Sequence, residues 1–62
     1  MGKNRVYQII DRIGGIKHEC HTFTKFAWLV RDLALNYGDF SIEQREKIEC
    51  PESTYIIFEI SK

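Results

Sequence analysis

The strongest pattern in the sequence is a helical one, and it covers residues 22–37. At about 100° per residue, the apolar side chains of this segment fall on one broad arc, which contains Phe23, Phe26, Ala27, Leu29, Val30, Leu33, Ala34 and Tyr37. The opposite side carries polar and charged residues, namely Lys25, Arg31, Asp32 and Asn36. The pattern predicts an amphipathic helix over Thr24–Tyr37 that packs its apolar arc against the rest of a small domain.

Two apolar residues interrupt the polar side of this helix. Trp28 and Leu35 are seven residues apart and nearly superimposed in projection, with Arg31 and Asp32 beside them. A chain of 62 residues seldom covers both sides of a helix, so we expect this second apolar stripe to contact something else. The alternative is that residues 42–49 of the same chain fold over Trp28.

Capping residues mark the ends of the helix and predict a second, shorter one. Thr22 or Thr24 can cap the start of the main helix, and Gly38 suits its end. Ser41, with Gln44 three residues later, resembles a capping box. It predicts a short polar helix over Ile42–Glu49, which Pro51 closes.

The last segment, Thr54–Ile60, alternates as a half-buried strand does. Three apolar side chains face one way, namely Ile56, Phe58 and Ile60. The residues that alternate with them face the other way, namely Tyr55, Ile57 and Glu59. This segment is the clearest strand in the chain.

The first segment, Arg5–Ile13, fits both a strand and a helix. Its apolar residues have helical spacing, yet they are mostly β-branched or aromatic, and Gly14-Gly15 is a hairpin turn signal before residues 16–23. We favour the hairpin because the last strand needs partners for its backbone. Either Tyr7 and Ile9 or Val6 and Ile10 would then face away from the helix.

These elements predict an α+β fold for a single domain over residues 1–62. The order is β-β-α-(short α)-β, with a three-stranded antiparallel sheet and the main helix packed on one face. Tyr55 and Ile57 remain on the uncovered face of that sheet. Apolar groups therefore remain on both outer sides of the predicted structure, as at protein interfaces.

Composition narrows the classes of function. Nine basic and nine acidic residues cancel, so no long-range field attracts nucleic acid or an anionic membrane. The apolar runs are far shorter than the ~20 residues of a membrane span. The N-terminal segment lacks the apolar region of a signal peptide. We expect a cytoplasmic protein whose cysteines stay reduced.

One cluster of residues has the side chains that bind zinc. His18, Cys20 and His21 lie close in sequence, and Cys50 could complete a set of four ligands. Alternate residues of a strand point to opposite sides, so His21 would point away from the other two. We expect no metal and no cofactor, with a zinc site on these residues as the alternative.

No combination of residues indicates catalysis. A Cys-His nucleophile pair needs spatial contact and an orienting group, which the adjacency of Cys20 and His21 does not establish. Gly14-Gly15 lacks the remaining residues of a phosphate-binding loop. We expect no catalytic residues and no enzymatic activity.

We therefore expect a protein that acts by contact with another protein or with a second copy of itself. Adaptors, regulators and inhibitors of this size include those with which phages and mobile elements block a host or defence enzyme. The expected contact residues are Trp28, Leu35, Arg31, Asp32, Tyr55 and Ile57.

The alternative function is RNA binding. It would use the basic residues near the hairpin, with Tyr7 or Tyr55 stacking on bases. The basic residues of this alternative are Arg5, Arg12, Lys17 and Lys25.

Overall fold

The computed structural model describes residues 4–62, which form one helix and one sheet. The elements in chain order are β1 (Asn4–Asp11), β2 (Ile16–Cys20), α1 (Phe23–Tyr37), β3 (Ser41–Glu49) and β4 (Ser53–Ser61). The sheet has the order β2-β1-β4-β3. β1 is antiparallel to β2 and parallel to β4, and β3 is antiparallel to β4. The predicted α+β class is confirmed.

The predicted hairpin at the start of the chain is also confirmed. The backbone carbonyl of Asp11 accepts a hydrogen bond of 2.9 Å from the N–H of Gly15 across the turn. Gly15 has φ 71°, which a residue with a Cβ rarely adopts. A Cβ on Gly14 would overlap the hydroxyl of Tyr37. Both glycines are therefore required, one by its backbone angle and the other by the helix that approaches it.

The main helix begins and ends at capping residues that the sequence contains. The Thr22 hydroxyl accepts a hydrogen bond of 3.1 Å from the N–H of Lys25, so α1 begins one residue before the predicted start. Gly38 ends the helix with φ 77° and donates its N–H to the carbonyl of Ala34 at 2.9 Å. Within residues 4–62, no helix has the length and apolar character that crossing a membrane requires.

The predicted short helix over Ile42–Glu49 is wrong, because this segment forms β3. It pairs with β4 along its whole length, from Ser41 opposite Ser61 to Glu49 opposite Thr54. The N–H of Cys50 donates to the carbonyl of Ser53 at 2.8 Å and closes the turn. β4 is apolar on both sides and needs two neighbouring strands for its backbone, which outweighs the local capping signal.

The predicted three-stranded antiparallel sheet is therefore also wrong, because the sheet has four strands and is mixed. The additional strand reverses the direction of the chain once more before β4. As a result, β4 runs alongside β1 in the same direction. The register shifts between Gln44 and Glu46, where Arg45 forms a β-bulge in the edge strand.

The hydrophobic core lies between α1 and one face of the sheet. β1 directs Tyr7 and Ile9 to this face, and Val6 and Ile10 therefore lie on the open face. The ring of Phe26 packs between Tyr7 and Phe58, with centroid distances of 5.1 Å and 4.9 Å. The buried cluster comprises Tyr7, Ile9, Cys20, Phe26, Leu33 and Ile60.

A buried carboxylate joins the hairpin to the end of the helix. Oδ1 of Asp11 accepts hydrogen bonds from the N–H groups of Ile13 (3.0 Å) and Gly14 (2.8 Å). Oδ2 accepts from the Tyr37 hydroxyl (2.7 Å) and from Nε2 of His18 (3.0 Å). Burial raises the pKa of Asp11, but these four hydrogen bonds outweigh it and lower the pKa from 3.8 to about 2. An ionised carboxylate only accepts, so Nε2 of His18 carries the hydrogen.

A second buried carboxylate stabilises the open face of the sheet. Glu59 is 8% exposed and forms ion pairs with Arg12, from the hairpin turn, and with Arg45, from the bulge. Nε of Arg45 donates to it at 2.7 Å. The hydrogen bonds from Arg12 and then from Arg45 lower the pKa of Glu59 against the effect of burial. A buried charge of this kind is tolerated only when it is paired.

Replacing Tyr37 by Phe tests the link between helix and hairpin. The change removes the hydroxyl that donates to Asp11 and keeps the ring, so the urea midpoint of unfolding should fall with little change in slope. Tyr55→Phe is the matched control, because Tyr55 lies on the other face of the sheet. Equal midpoints for the two variants would contradict the role given to the Asp11 carboxylate.

The low pKa of Asp11 predicts a loss of stability in acid. The folded-state pKa of about 2 lies below the ordinary 3.8. The carboxylate therefore stabilises the fold fully above about pH 4 and loses this contribution as the pH falls towards 2. The free energy of unfolding of wild type should exceed that of Asp11→Asn at about pH 6, and the difference should shrink towards pH 2. A difference that stays constant over this range would contradict the prediction.

Candidate functional site

The outer side of α1 exposes the tryptophan and leucine that the helical projection places opposite the core. α1 buries Phe26 and Leu33 against the sheet. Trp28 is 65% exposed and Leu35 78% exposed, in a direction about 160° from the buried pair. The alternative in which residues 42–49 cover Trp28 is wrong, because those residues form an edge strand of the sheet.

Two charged residues complete this surface. Arg31 and Asp32 are exposed and lie between Trp28 and Leu35 along the helix axis. Neither forms an ion pair within residues 4–62. We refer to Trp28, Leu35, Arg31 and Asp32 together as the outer stripe. It combines two large exposed apolar side chains with two charged side chains that form no ion pair with the described residues.

The other predicted contact residues lie on a different surface. Tyr55 and Ile57 are half-buried on the open face of the sheet, beside Val6 and Ile10. α1 packs on the opposite face of that sheet, so the structure divides the predicted contact set between two sides of the molecule. A single flat partner surface cannot contact both. The outer stripe is the more exposed of the two.

Some apolar residues of the helix are more exposed than the sequence predicts. Phe23 belongs to the apolar arc but is 65% exposed, and it touches Tyr7 only at the ring edge, at a centroid distance of 6.1 Å. Ala27 and Ala34 of the arc are exposed as well. One face of a small sheet covers only part of a broad apolar arc, and a helical projection does not show which part.

The basic residues proposed for RNA binding do not form one patch. Arg5 lies near the start of β1 and Arg12 just beyond its end, about 23 Å apart along an extended chain. Arg12 is bound to Glu59. Arg12 and Lys17 do line an open concavity of about 530 Å³ at the hairpin end. Lys25 lies elsewhere, in the first turn of α1.

The four residues considered for zinc also do not come together. His18 is bound to Asp11, and Nε2 of His21 lies 3.1 Å from Glu19. Cys20 is buried in the core, and Cys50 follows β3 at the turn. Among residues 4–62, no three side chains of the ligand types form a cluster that could hold a metal ion.

The thiol next to His21 is poorly placed for nucleophilic chemistry. Burial raises the pKa of Cys20, and Glu19 adds to this effect while Lys25 opposes it. The thiolate is the reactive form of cysteine, so a raised pKa disfavours attack on a substrate. Cys20 is instead a small apolar member of the core.

Asp11 is a central residue that the sequence reasoning missed. An Asp that precedes a Gly-Gly turn commonly accepts hydrogen bonds from the turn backbone, and this signal was available in the sequence. The bond from Tyr37 was not foreseeable, because it joins residues 26 positions apart. All four acceptor positions of the carboxylate are used within the fold, so its role is structural.

Comparison with known proteins yields no match to a protein-family model, a curated protein or a solved structure. The geometry of the described surfaces is therefore the basis for assigning a function. Of these surfaces, the outer stripe has the greatest exposure of large apolar side chains. Its two charged residues form no ion pair with the described part of the chain.

Chelation of metal ions tests the zinc alternative. Since the four ligand candidates lie apart, excess chelator should leave the melting temperature of the purified protein unchanged. A bound structural zinc would contribute directly to folding, so its removal would lower the melting temperature. A drop on chelation, together with about one zinc per chain in elemental analysis, would contradict the described geometry.

Proposed function

We propose that this protein is a small non-enzymatic interaction module. It acts as an adaptor, regulator or inhibitor that binds a macromolecular partner through the outer stripe of α1. The observation that carries the proposal is the exposure of Trp28 and Leu35, at 65% and 78%, on the charged side of the helix. A soluble monomer gains nothing from such exposure, whereas an interface does.

The residue types of the outer stripe support this proposal. Trp and Arg are enriched among the residues that dominate binding energy at protein interfaces. A large aromatic side chain buries about 150–250 Å² when fully covered, so covering the rest of Trp28 would contribute substantially to binding. Arg31 and Asp32 provide the charged rim that typically surrounds such an apolar centre.

The distribution of apolar residues also supports it. Among residues 4–62, seven apolar residues are buried. Nearly as many large apolar residues are exposed, namely Ile16, Phe23, Trp28, Leu35, Ile42 and Ile48. A chain this small has few apolar residues to spare for its surface. Their exposure therefore favours a function in which part of the surface becomes buried.

The buried ionisable groups favour binding over catalysis. Asp11 and Glu59 are buried, and both are engaged by several donors from the fold. Within residues 4–62, no buried side-chain nitrogen or oxygen lacks a hydrogen-bond partner. A general acid or base must be able to exchange its proton with a substrate. These two carboxylates instead accept hydrogen bonds and ion pairs from other parts of the fold.

Truncating Trp28 should separate folding from binding. Trp28→Ala should change the free energy of unfolding by about 0.5 kcal/mol or less, as surface changes do. Phe26→Ala, in the core, should cost about 3 kcal/mol or more. Trp28→Ala should also weaken capture of the partner from extracts of the source cells by about thirtyfold or more. Urea unfolding and affinity capture measure the two effects.

Ile16→Ala is the matched control for capture, because Ile16 is 54% exposed at the hairpin, away from the outer stripe. It should bind as wild type does. The proposal fails if Trp28→Ala unfolds the chain outright, which would make Trp28 a core residue. It fails equally if Trp28→Ala and Ile16→Ala bind the same proteins, further copies of this chain included, at the same strength.

A further inference from the structure

The outer stripe is complementary to a second copy of itself. We infer that two copies of this chain pair through the outer stripe, with their helices parallel and related by a two-fold axis that runs along them. This inference rests on the proposed function, because it names the partner of the same surface.

The positions of the two charges carry the inference. Viewed along α1, Arg31 lies about 50° to one side of the line through Trp28 and Leu35, and Asp32 about 50° to the other. The two are consecutive residues, so they differ in height by only about 1.5 Å. The stripe therefore has a basic flank and an acidic flank at the same level of the helix.

A parallel two-fold pair brings opposite flanks together. The basic flank of each helix faces the acidic flank of the other, so Arg31 of each copy meets Asp32 of the other copy and two ion pairs form. An antiparallel pair instead brings like flanks together, with Arg31 against Arg31 and Asp32 against Asp32. Like charges at such distances repel. The charge pattern thus selects the parallel arrangement.

The apolar side chains fit the same symmetry. Trp28 of one copy packs against Trp28 of the other, and Leu35 packs against Leu35 about 10 Å further along the axis. Paired aromatic rings attract in offset or edge-to-face geometry. Opposite-charge pairs flanking an apolar seam are the arrangement that sets partner orientation in parallel helix pairs.

The rest of the fold leaves this approach open. The stripe points about 160° away from the buried side of α1, so the two sheets would lie on the outside of the dimer. Pairing through the edge strand β3 is less favourable. That strand carries charged residues and the bulge at Arg45, features that protect sheet edges from pairing.

The dimer should be weak and reversible. Each copy contributes only two large apolar side chains, so the interface is smaller than the ~1,200 Å² of a standard complex. We expect a dissociation constant between about 1 µM and 1 mM. Sedimentation equilibrium of the full chain over this concentration range should show a monomer–dimer equilibrium.

Charge reversal provides the sharpest test. Arg31→Glu and Asp32→Arg should each weaken the dimer about tenfold or more, because each creates two like-charge contacts. An equimolar mixture of the two variants should restore association, because opposite charges then face each other again. Trp28→Ala should be monomeric and remain folded by circular dichroism.

Disulfide trapping tests the orientation. Leu35→Cys in a Cys50→Ser background places two thiols next to the two-fold axis of the parallel pair, within reach of a disulfide. Mild oxidation should give a covalent dimer. In an antiparallel pair the two thiols would lie about 10 Å apart along the axis and would not link.

The inference is overturned if wild type stays monomeric up to about 1 mM, or if the dimer survives Trp28→Ala. It is also overturned if the charge reversals have no effect or if Leu35→Cys does not cross-link. A monomeric wild type whose capture of a different protein depends on Trp28 would remove the self-pairing alone. Loss of Trp28 dependence in both experiments would remove the proposed function as well.

Discussion

The structure depends on the carboxylate of Asp11. It lies at the end of β1, accepts two backbone N–H groups of the hairpin turn, and binds His18 of β2 and Tyr37 at the end of α1. Together with the packing of Phe26 between Tyr7 and Phe58, this carboxylate fixes the helix on the sheet. Gly14 belongs to the same arrangement, because any side chain there would displace the Tyr37 hydroxyl.

The outer stripe is free because the fold is completed without it. The rings of Phe26, Tyr7 and Phe58 and the Asp11 carboxylate hold the inner side of α1. On the open face of the sheet, Glu59 of β4 forms ion pairs with Arg12 of the hairpin turn and with Arg45 of the bulged edge strand β3. None of these contacts involves the outer side of the helix. The outer side of the helix is therefore accessible to a partner.

The sequence predicted those elements whose signal is local. The helix, its caps, the first hairpin and β4 follow from periodicity and turn residues within short windows. β3 was mistaken for a helix because Ser41 and Gln44 imitate a capping box, while the need of β4 for a second neighbour is not visible in that window. Because β3 was missed, the parallel pairing of β1 with β4 was missed as well. Long-range pairs such as Arg12 with Glu59, 47 residues apart, lie outside any local pattern.

The same distinction applies to the candidate site. A helical projection identified Trp28 and Leu35, since their spacing alone places them opposite the core. It misplaced Phe23, because the part of an apolar arc that meets the sheet depends on how the helix lies. It also grouped Tyr55 with the stripe, although the sheet separates them.

The exposure of the outer stripe is measured most directly with the single tryptophan of the chain as its own probe. Quenching of Trp28 fluorescence by acrylamide in dilute native protein should reach a large fraction of that in urea, because Trp28 is 65% exposed. Quenching should decrease as the protein concentration rises and copies pair. A strongly shielded Trp28 in dilute native protein would show that the outer stripe belongs to the core, and would contradict the account.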